Sequence, residues 1–164
     1  AVTNPGSNLK LASGIAPIVR MQQAGLNMAI GTDGAASNNA LDMFREMYLA
    51  AALQKVYEHD ASACRAEDVL KMACVGGARA MGLPDCDDIA PGKRADLVVI
   101  NLRRPNMQPL NNIAANIVYA GSKENVRLTM VNGRILYENG EFFIGEKPEY
   151  IYTAANAFME AIRK

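Results

Sequence analysis

The stretch "AIGTDGAASNNALDMFREM" sets a carboxylate, Asp33, between Thr32 and Gly34 in a loop of small residues. Before it stands a short apolar run, and after it a helix-like pattern. A carboxylate at a strand tip can bind a hard or borderline metal. It can also act as a base toward a metal-bound water. The flanking glycines let the backbone turn sharply and approach a ligand closely. The plain structural alternative is that Asp33 caps the following helix or orders its own loop. The usual partners of a metal-binding aspartate are scarce. The one histidine, His59, lies in the polar string "YEHDAS" and reads as a surface residue. The three cysteines, Cys64, Cys74 and Cys86, lack a CxxC spacing and read as reduced thiols of a cytoplasmic protein. A zinc site takes at least three protein ligands, and no such cluster is visible in the sequence.

Other chemistries find less support. The "GTDG" loop lacks the lysine and the longer glycine spacing of a phosphate cradle. Ser13 in "ASGIA" has no triad partner in view, and Asp85 to Asp88 lack the spacing and glycine of an EF-hand loop. Lysine plus arginine balances aspartate plus glutamate at 17 each, which argues against a nucleic-acid surface. No apolar stretch reaches the length of a membrane span. The opening "AVTNPGSNLK" reads as neither a signal nor a transit peptide. The nine methionines read as core filler.

The elements that must position Asp33 follow from the patterns around it. Residues 1–4 read as the end of a strand, and Pro5–Gly6 as a turn into polar loop. Ser13 and Pro17 open a helix that Gly25 ends. "LNMAIGT" reads as a strand buried on both faces. Asn38 or Asn39 caps the next helix, which runs to about Val56 with Leu41, Phe44, Tyr48, Ala51 and Ala52 on one face. "AEDVLKMACVGGARAMGL" reads as two short helices pinched at Gly76–Gly77.

From Pro84 the composition changes. "PGKRADLVVINL" is a turn and a strand, and "NIVYAG" is a second strand candidate. "NVRLTMVNGRILYENGEFF" holds three strands joined by Asn132–Gly133 and Asn139–Gly140, the strongest short hairpin signal. Residues 149–163 form an amphipathic helix with Ile151, Ala154, Ala155, Phe158 and Ile162 on one side. That apolar side is expected to pack on this protein. The fold class is therefore α/β: a parallel-sheet unit, then a small antiparallel β domain and a terminal helix.

"NPGSNLKLASGIAP" followed by "GTDGAASNNALDM" closely resembles the amidohydrolase superfamily. The match is best to its branch of 5'-methylthioadenosine and S-adenosylhomocysteine deaminases, near the chlorohydrolases. "GARAMGL", "PGKRADLVVINL", "IVYAG" and "VRLTMVNGRILYENG" continue the resemblance in order. It implies a (β/α)8 metallohydrolase barrel with a small β-sandwich-like domain. Residues 1–84 would supply the last two barrel strands and helices, 85–148 a segment of the β domain, and 149–164 the terminal helix. Asp33 would end the eighth strand, bind one zinc or iron, and shuttle a proton from the attacking water to the leaving amine. Ser7 and Asn8 match a loop after the seventh strand; with Ser37 and Asn38 they are expected to bind substrate or shape the site. Thr3 stands where relatives often carry a histidine.

The resemblance also implies an H-x-H pair, two further histidines and a glutamate from earlier strands, none of which is in this sequence. A complete barrel takes about 250 residues. The expectation is a C-terminal portion of a longer deaminase, inactive and free of catalytic metal by itself. Its partners would be a small-molecule substrate and the missing N-terminal portion, with no nucleic acid and no membrane. The alternatives are a binding or oligomerising module that pairs with a second copy of the chain, or an amidohydrolase acting on guanine, cytosine or a triazine.

Overall fold

Pro5 stands where a proline costs a helix nothing, at its first position, because the missing N–H has no acceptor there. The computed structural model, which describes residues 1–163, uses it in that way. Strand β1 (Val2–Thr3) leads into helix α1 (Pro5–Lys10), so the expected turn and polar loop are a helix. Helix α2 (Ile18–Gln23) follows and ends before Gly25, which takes φ +80°. Strand β2 (Ala29–Ile30) then pairs in parallel with β1, Val2 beside Ala29 and Thr3 beside Ile30. Thr3, Ala29 and Ile30 are all buried, as expected of a strand covered on both faces.

Helix α3 (Met43–Tyr57) is capped by Asp42, whose carboxylate accepts from the Phe44 N–H at 3.0 Å. The cap thus lies beyond both Asn38 and Asn39. Leu41 lies outside the helix, half exposed at φ +44°. Phe44, Met47, Ala50 and Ala51 form the buried stripe, joined by two polar residues, Glu46 and Gln54. Gln54 reaches back to the segment before α2, donating to the Ala16 carbonyl at 2.7 Å.

Helix α4 (Ala66–Lys71) runs without a break through a π turn (Met72–Gly76) into α5 (Gly77–Ala80). The expected pinch at Gly76–Gly77 is absent, since both glycines keep ordinary helical angles. Gly76 serves a close approach instead: a Cβ there would stand 2.0 Å from the Met28 carbonyl oxygen. "NIVYAG" is likewise not a strand. Helix α6 (Ile113–Ala115), capped by the Asn112 side chain on the Ala115 N–H, continues as a π turn over Asn116–Ala120. That turn buries Val118 and sets the Tyr119 ring edge-on to Tyr48 of α3 at 6.4 Å. Met28, Met47, Met72 and Met107 are core residues, whereas Met81 and Met159 are exposed.

Boundaries at 84/85 and 148/149 are the expectation from sequence. In the structure, residues 1–93 and 102–125 form one compact unit, and residues 94–101 and 126–163 form another. The second unit is an antiparallel sheet of β3 (Leu97–Ile100), β4 (Val126–Val131), β5 (Arg134–Glu138) and β6 (Glu141–Phe142), in that order. Both Asn-Gly turns have positive φ at each central residue, 50° and 78° in one, 48° and 101° in the other. These are the mirror-image turns that match strand twist. Helix α7 (Pro148–Ile162) carries no buried residue. Its expected apolar face does not pack on this chain, and Ile151, Phe158 and Ile162 stand exposed.

Candidate functional site

Because β1 and β2 run parallel, their carboxyl ends open on the same side. The first turn of α1 leaves one end and the Gly31–Asp42 loop leaves the other. This brings Ser7 and Asp33, 26 residues apart, into contact. Asp33 is exposed and holds φ +59°, a left-handed angle that aspartate tolerates better than most residues.

Three donors fix its carboxylate. Ser7 Oγ and Ser37 Oγ each donate to Oδ2 at 2.7 Å, and the Gly34 N–H donates to Oδ1 at 2.8 Å. The Ser37 hydroxyl also lies 3.1 Å from the Gly34 carbonyl, but its single proton goes to the carboxylate, the stronger acceptor. A carboxylate offers about four lone-pair positions. Three are engaged, and the remaining one is on Oδ1. Asp33 does not cap α3, since Asp42 does, but it does order its own loop while being held by α1.

Behind these contacts stands a residue the sequence did not single out. Glu46, fully buried in the first turn of α3, accepts from the Gly6 N–H through Oε2 and from Asn38 Nδ2 through Oε1, both at 2.7 Å. Asn38 also donates its N–H to the Gly34 carbonyl at 2.8 Å and accepts from the Ala40 N–H. Lys10 ties the outer part of the loop to α1, through the Ala36 carbonyl and Asn39 Oδ1. Ser7, Ser37 and Asn38 therefore converge on Asp33 or its loop. None of the Asp33 bonds involves Asn8, whose carbonyl accepts from the Ser13 N–H and which lines a small space beside Thr3 and Gln54.

The hydroxyl of Ser7 first, then that of Ser37 and the Gly34 N–H, hold the Asp33 carboxyl below the usual aspartate range. Its folded pKa is depressed, so its contribution to stability is present above the ordinary value of about 3.9 and is lost as pH falls through the folded value. At neutral pH it is an anion. Ser7→Ala is expected to move the Asp33 pKa upward toward that ordinary value, read by carbon NMR of the carboxyl group. An unchanged titration would show that the Ser7 bond does not hold the carboxylate.

The chain's residues do not by themselves fit a catalytic metal. Among the described residues no group of three or more His, Cys, Asp or Glu side chains is placed to hold a metal ion, and zinc needs three or four protein ligands. His59 is exposed in the turn after α3. Cys64 is buried, and burial pushes its thiol up to about 11, far from a ready thiolate ligand. Asp33 could offer a metal one anionic oxygen, and no companion ligand stands beside it among the described residues.

The chain is 49% identical over 154 residues to the 5'-deoxyadenosine deaminase of Methanothermobacter thermautotrophicus, a match covering 94% of this chain and 36% of that protein. It is 47% identical to the 5-methylthioadenosine/S-adenosylhomocysteine deaminase of Nitratidesulfovibrio vulgaris, covering 98% of this chain and 36% of the relative. The fold superposes on an adenosine deaminase from Xanthomonas campestris with bound zinc at a TM-score of 0.94. That match has 40% identity and covers 99% of this chain and 37% of the other. The chain thus spans about a third of the length of these relatives. The Amidohydrolase family model matches residues 2–136, from β1 into β5 and through the Asp33 loop, and the chain belongs to that family.

Proposed function

We propose that these residues form the C-terminal third of a hydrolytic deaminase of adenine-type nucleosides. Asp33 is one ligand of a divalent metal, zinc or iron, whose other ligands lie outside this chain. The observation that carries the reading is the Asp33 carboxylate itself: anionic, solvent-facing, fixed from two chain segments, and left with one open position on Oδ1. Ordering the loop accounts for the Gly34 and Ser37 bonds; the Ser7 bond comes from a segment 26 residues away. Residues 1–84 would be the last strands and helices of a (β/α)8 barrel, 85–148 part of a small β domain and 149–164 its terminal helix. A parallel sheet of two two-residue strands falls well short of the about four to six strands usual in a sheet, which supports a barrel continued by other residues.

Hydrolytic deamination exchanges the exocyclic amine for oxygen. Water supplies the oxygen, the amine leaves as ammonia, and of the water's two protons one must reach the amine and the other ends on the ring nitrogen beside the new carbonyl. A bound divalent metal would supply a water already acidified. An ionised Asp33 is the group in this chain able to carry the proton across. Ser7 and Ser37 would keep it anionic and aimed, and Asn8 and Asn38 would shape the surrounding loops. The relatives' names favour 5'-methylthioadenosine, S-adenosylhomocysteine or 5'-deoxyadenosine as substrate over guanine, cytosine or a triazine. The three cysteines, none of them in a disulfide, agree with a cytoplasmic enzyme.

The test is ammonia release from these three nucleosides. The polypeptide that joins residues 1–164 to the remaining ligands is expected to turn them over. The 164-residue chain alone is expected to hold no stoichiometric zinc and to release no ammonia. Zinc with turnover in the isolated chain, or a joined polypeptide inert toward all three nucleosides, would overturn the reading.

A further inference from the structure

Glu46 is a wholly buried carboxylate in a helix whose other buried side chains are mostly apolar. Burying a carboxylate is costly unless its bonds achieve something. Each of its oxygens holds the residue next to one of the two serines that grip Asp33. Oε2 takes the N–H of Gly6, whose neighbour Ser7 donates to Asp33 Oδ2. Oε1 takes the side-chain amide of Asn38, whose neighbour Ser37 donates to the same Oδ2. The Asn38 backbone N–H closes the loop onto Gly34, the residue whose own N–H holds Asp33 Oδ1. The approach is close enough to dictate a glycine: a Cβ on Gly6 would stand 2.3 Å from Glu46 Oε1.

We propose that Glu46 is a positioning residue for Asp33, clamping the α1 end and the loop end of the site with one side chain. The claim rests on the reading of Asp33 as the functional carboxylate, and it deepens that reading by naming what sets its geometry. Glu46 touches neither Asp33 nor the solvent-facing side of the site. Its effect passes through Gly6–Ser7 and through Asn38–Ser37.

The chemistry of the clamp gives a specific test. Glu46→Gln leaves one acceptor for two donors and points an amide at the Asn38 amide. Asn38→Asp alone sets two carboxylates against each other. The double variant restores the bonds with their direction reversed: the Gln amide donates to the new Asp, and the Gln oxygen still accepts from Gly6. In the 164-residue chain, Glu46→Gln is expected to speed amide exchange at Gly34 and Asn38 about tenfold, with Ala50 and Ala51 of α3 within about twofold, as a local opening requires. In the joined enzyme, kcat is expected to fall about 10- to 100-fold, as for other residues that orient ligands from behind, with KM within about threefold. The double variant is expected to recover both exchange and kcat to within about threefold, a coupling that independent sites do not show.

Uniform acceleration of exchange across α3, or a double variant no better than the worse single, overturns the proposal. If Glu46→Gln alone fails to fold, the recovery or failure of the double variant still decides it. Exchange at Gly34 and Asn38 is read without substrate. Local loosening with unchanged kcat would therefore support the clamp and count against the reading of Asp33.

Discussion

Asp33→Asn is expected to lower kcat for adenine-nucleoside deamination in the joined enzyme by about a thousandfold, within the range that loss of a positioned proton carrier produces. The substitution removes the charge and one acceptor oxygen while keeping the size and shape of the side chain. Asparagine keeps an oxygen for the Ser7 and Ser37 hydroxyls, whose protons rotate freely. Its amide would face the Gly34 N–H in place of Oδ1, so that bond is lost and the position open on the carboxylate is filled by a donor. The side chain is exposed, so losing its charge and the Gly34 bond is expected to lower the melting temperature only slightly, far too little to account for the loss of kcat. The measurement is steady-state ammonia release, with zinc content determined on the same samples. A variant that retains kcat within about tenfold would show that Asp33 orders its loop and has no further part.

The contrast between Asp33 and Glu46 shows what the sequence made legible. Asp33 stood out because it interrupts a small-residue loop at the end of an apolar run; an Asp-Gly pair is common in turns, and it was the resemblance of the surrounding segments to the amidohydrolases that singled it out. Glu46 did not, because a glutamate in the first helical turn is ordinary on helix-dipole grounds alone. Its signal was positional. Glu46, Ala50 and Gln54 recur every four residues, beside the buried Met47 and Ala51, so two polar side chains fall on the core stripe. A polar residue on that stripe calls for a buried partner, and both have one. The partners, Gly6 and Ala16, lie 40 and 38 residues away, a distance that only the fold resolves.

The same division holds for the elements. The Asn-Gly hairpins were readable because two adjacent positive-φ residues have almost no other use. The apolar run "NIVYAG" was not, since four to six apolar residues suit a strand or a buried helical turn equally. The cap that decides it, Asn112 on the Ala115 N–H, lies just before the run. Pro5–Gly6 misled in a similar way. Proline begins helices as readily as turns, and the glycine is explained by the Glu46 carboxylate pressed against it, not by a turn. The terminal helix was legible as a helix, but what its apolar face meets was not, because amphipathicity does not say which surface covers it.

Gly76 and Gly77 carry the sharpest stability contrast in the chain. Both sit in continuous helix, at φ −60° and −61°, so backbone strain does not separate them. Surroundings do. At Gly77 the nearest atom to an added Cβ is the Met72 carbonyl oxygen at 3.9 Å, an ordinary contact. Gly77→Ala is therefore expected to be neutral or to stabilise by up to about 1 kcal/mol through helix propensity. At Gly76 the added Cβ meets the Met28 carbonyl oxygen at 2.0 Å and the Met28 carbonyl carbon at 3.1 Å. These are backbone atoms at the entry to β2, so relief requires moving the strand or the helix. The Gly76 carbonyl is itself tied to the Asn27 amide at 3.1 Å, which resists such a shift. Gly76→Ala is expected to cost about 3 kcal/mol, the upper range for overpacking, and to lower the melting temperature by about 10 °C for a chain of this size. Urea midpoints of the two variants measure the difference directly. Because β2 ends in the Asp33 loop, any strand displacement that accommodates the added methyl group should also disturb the Ser7–Asp33 contact. Equal stabilities for the two variants would mean that the helix and the strand do not meet as closely at Met28 as these distances require.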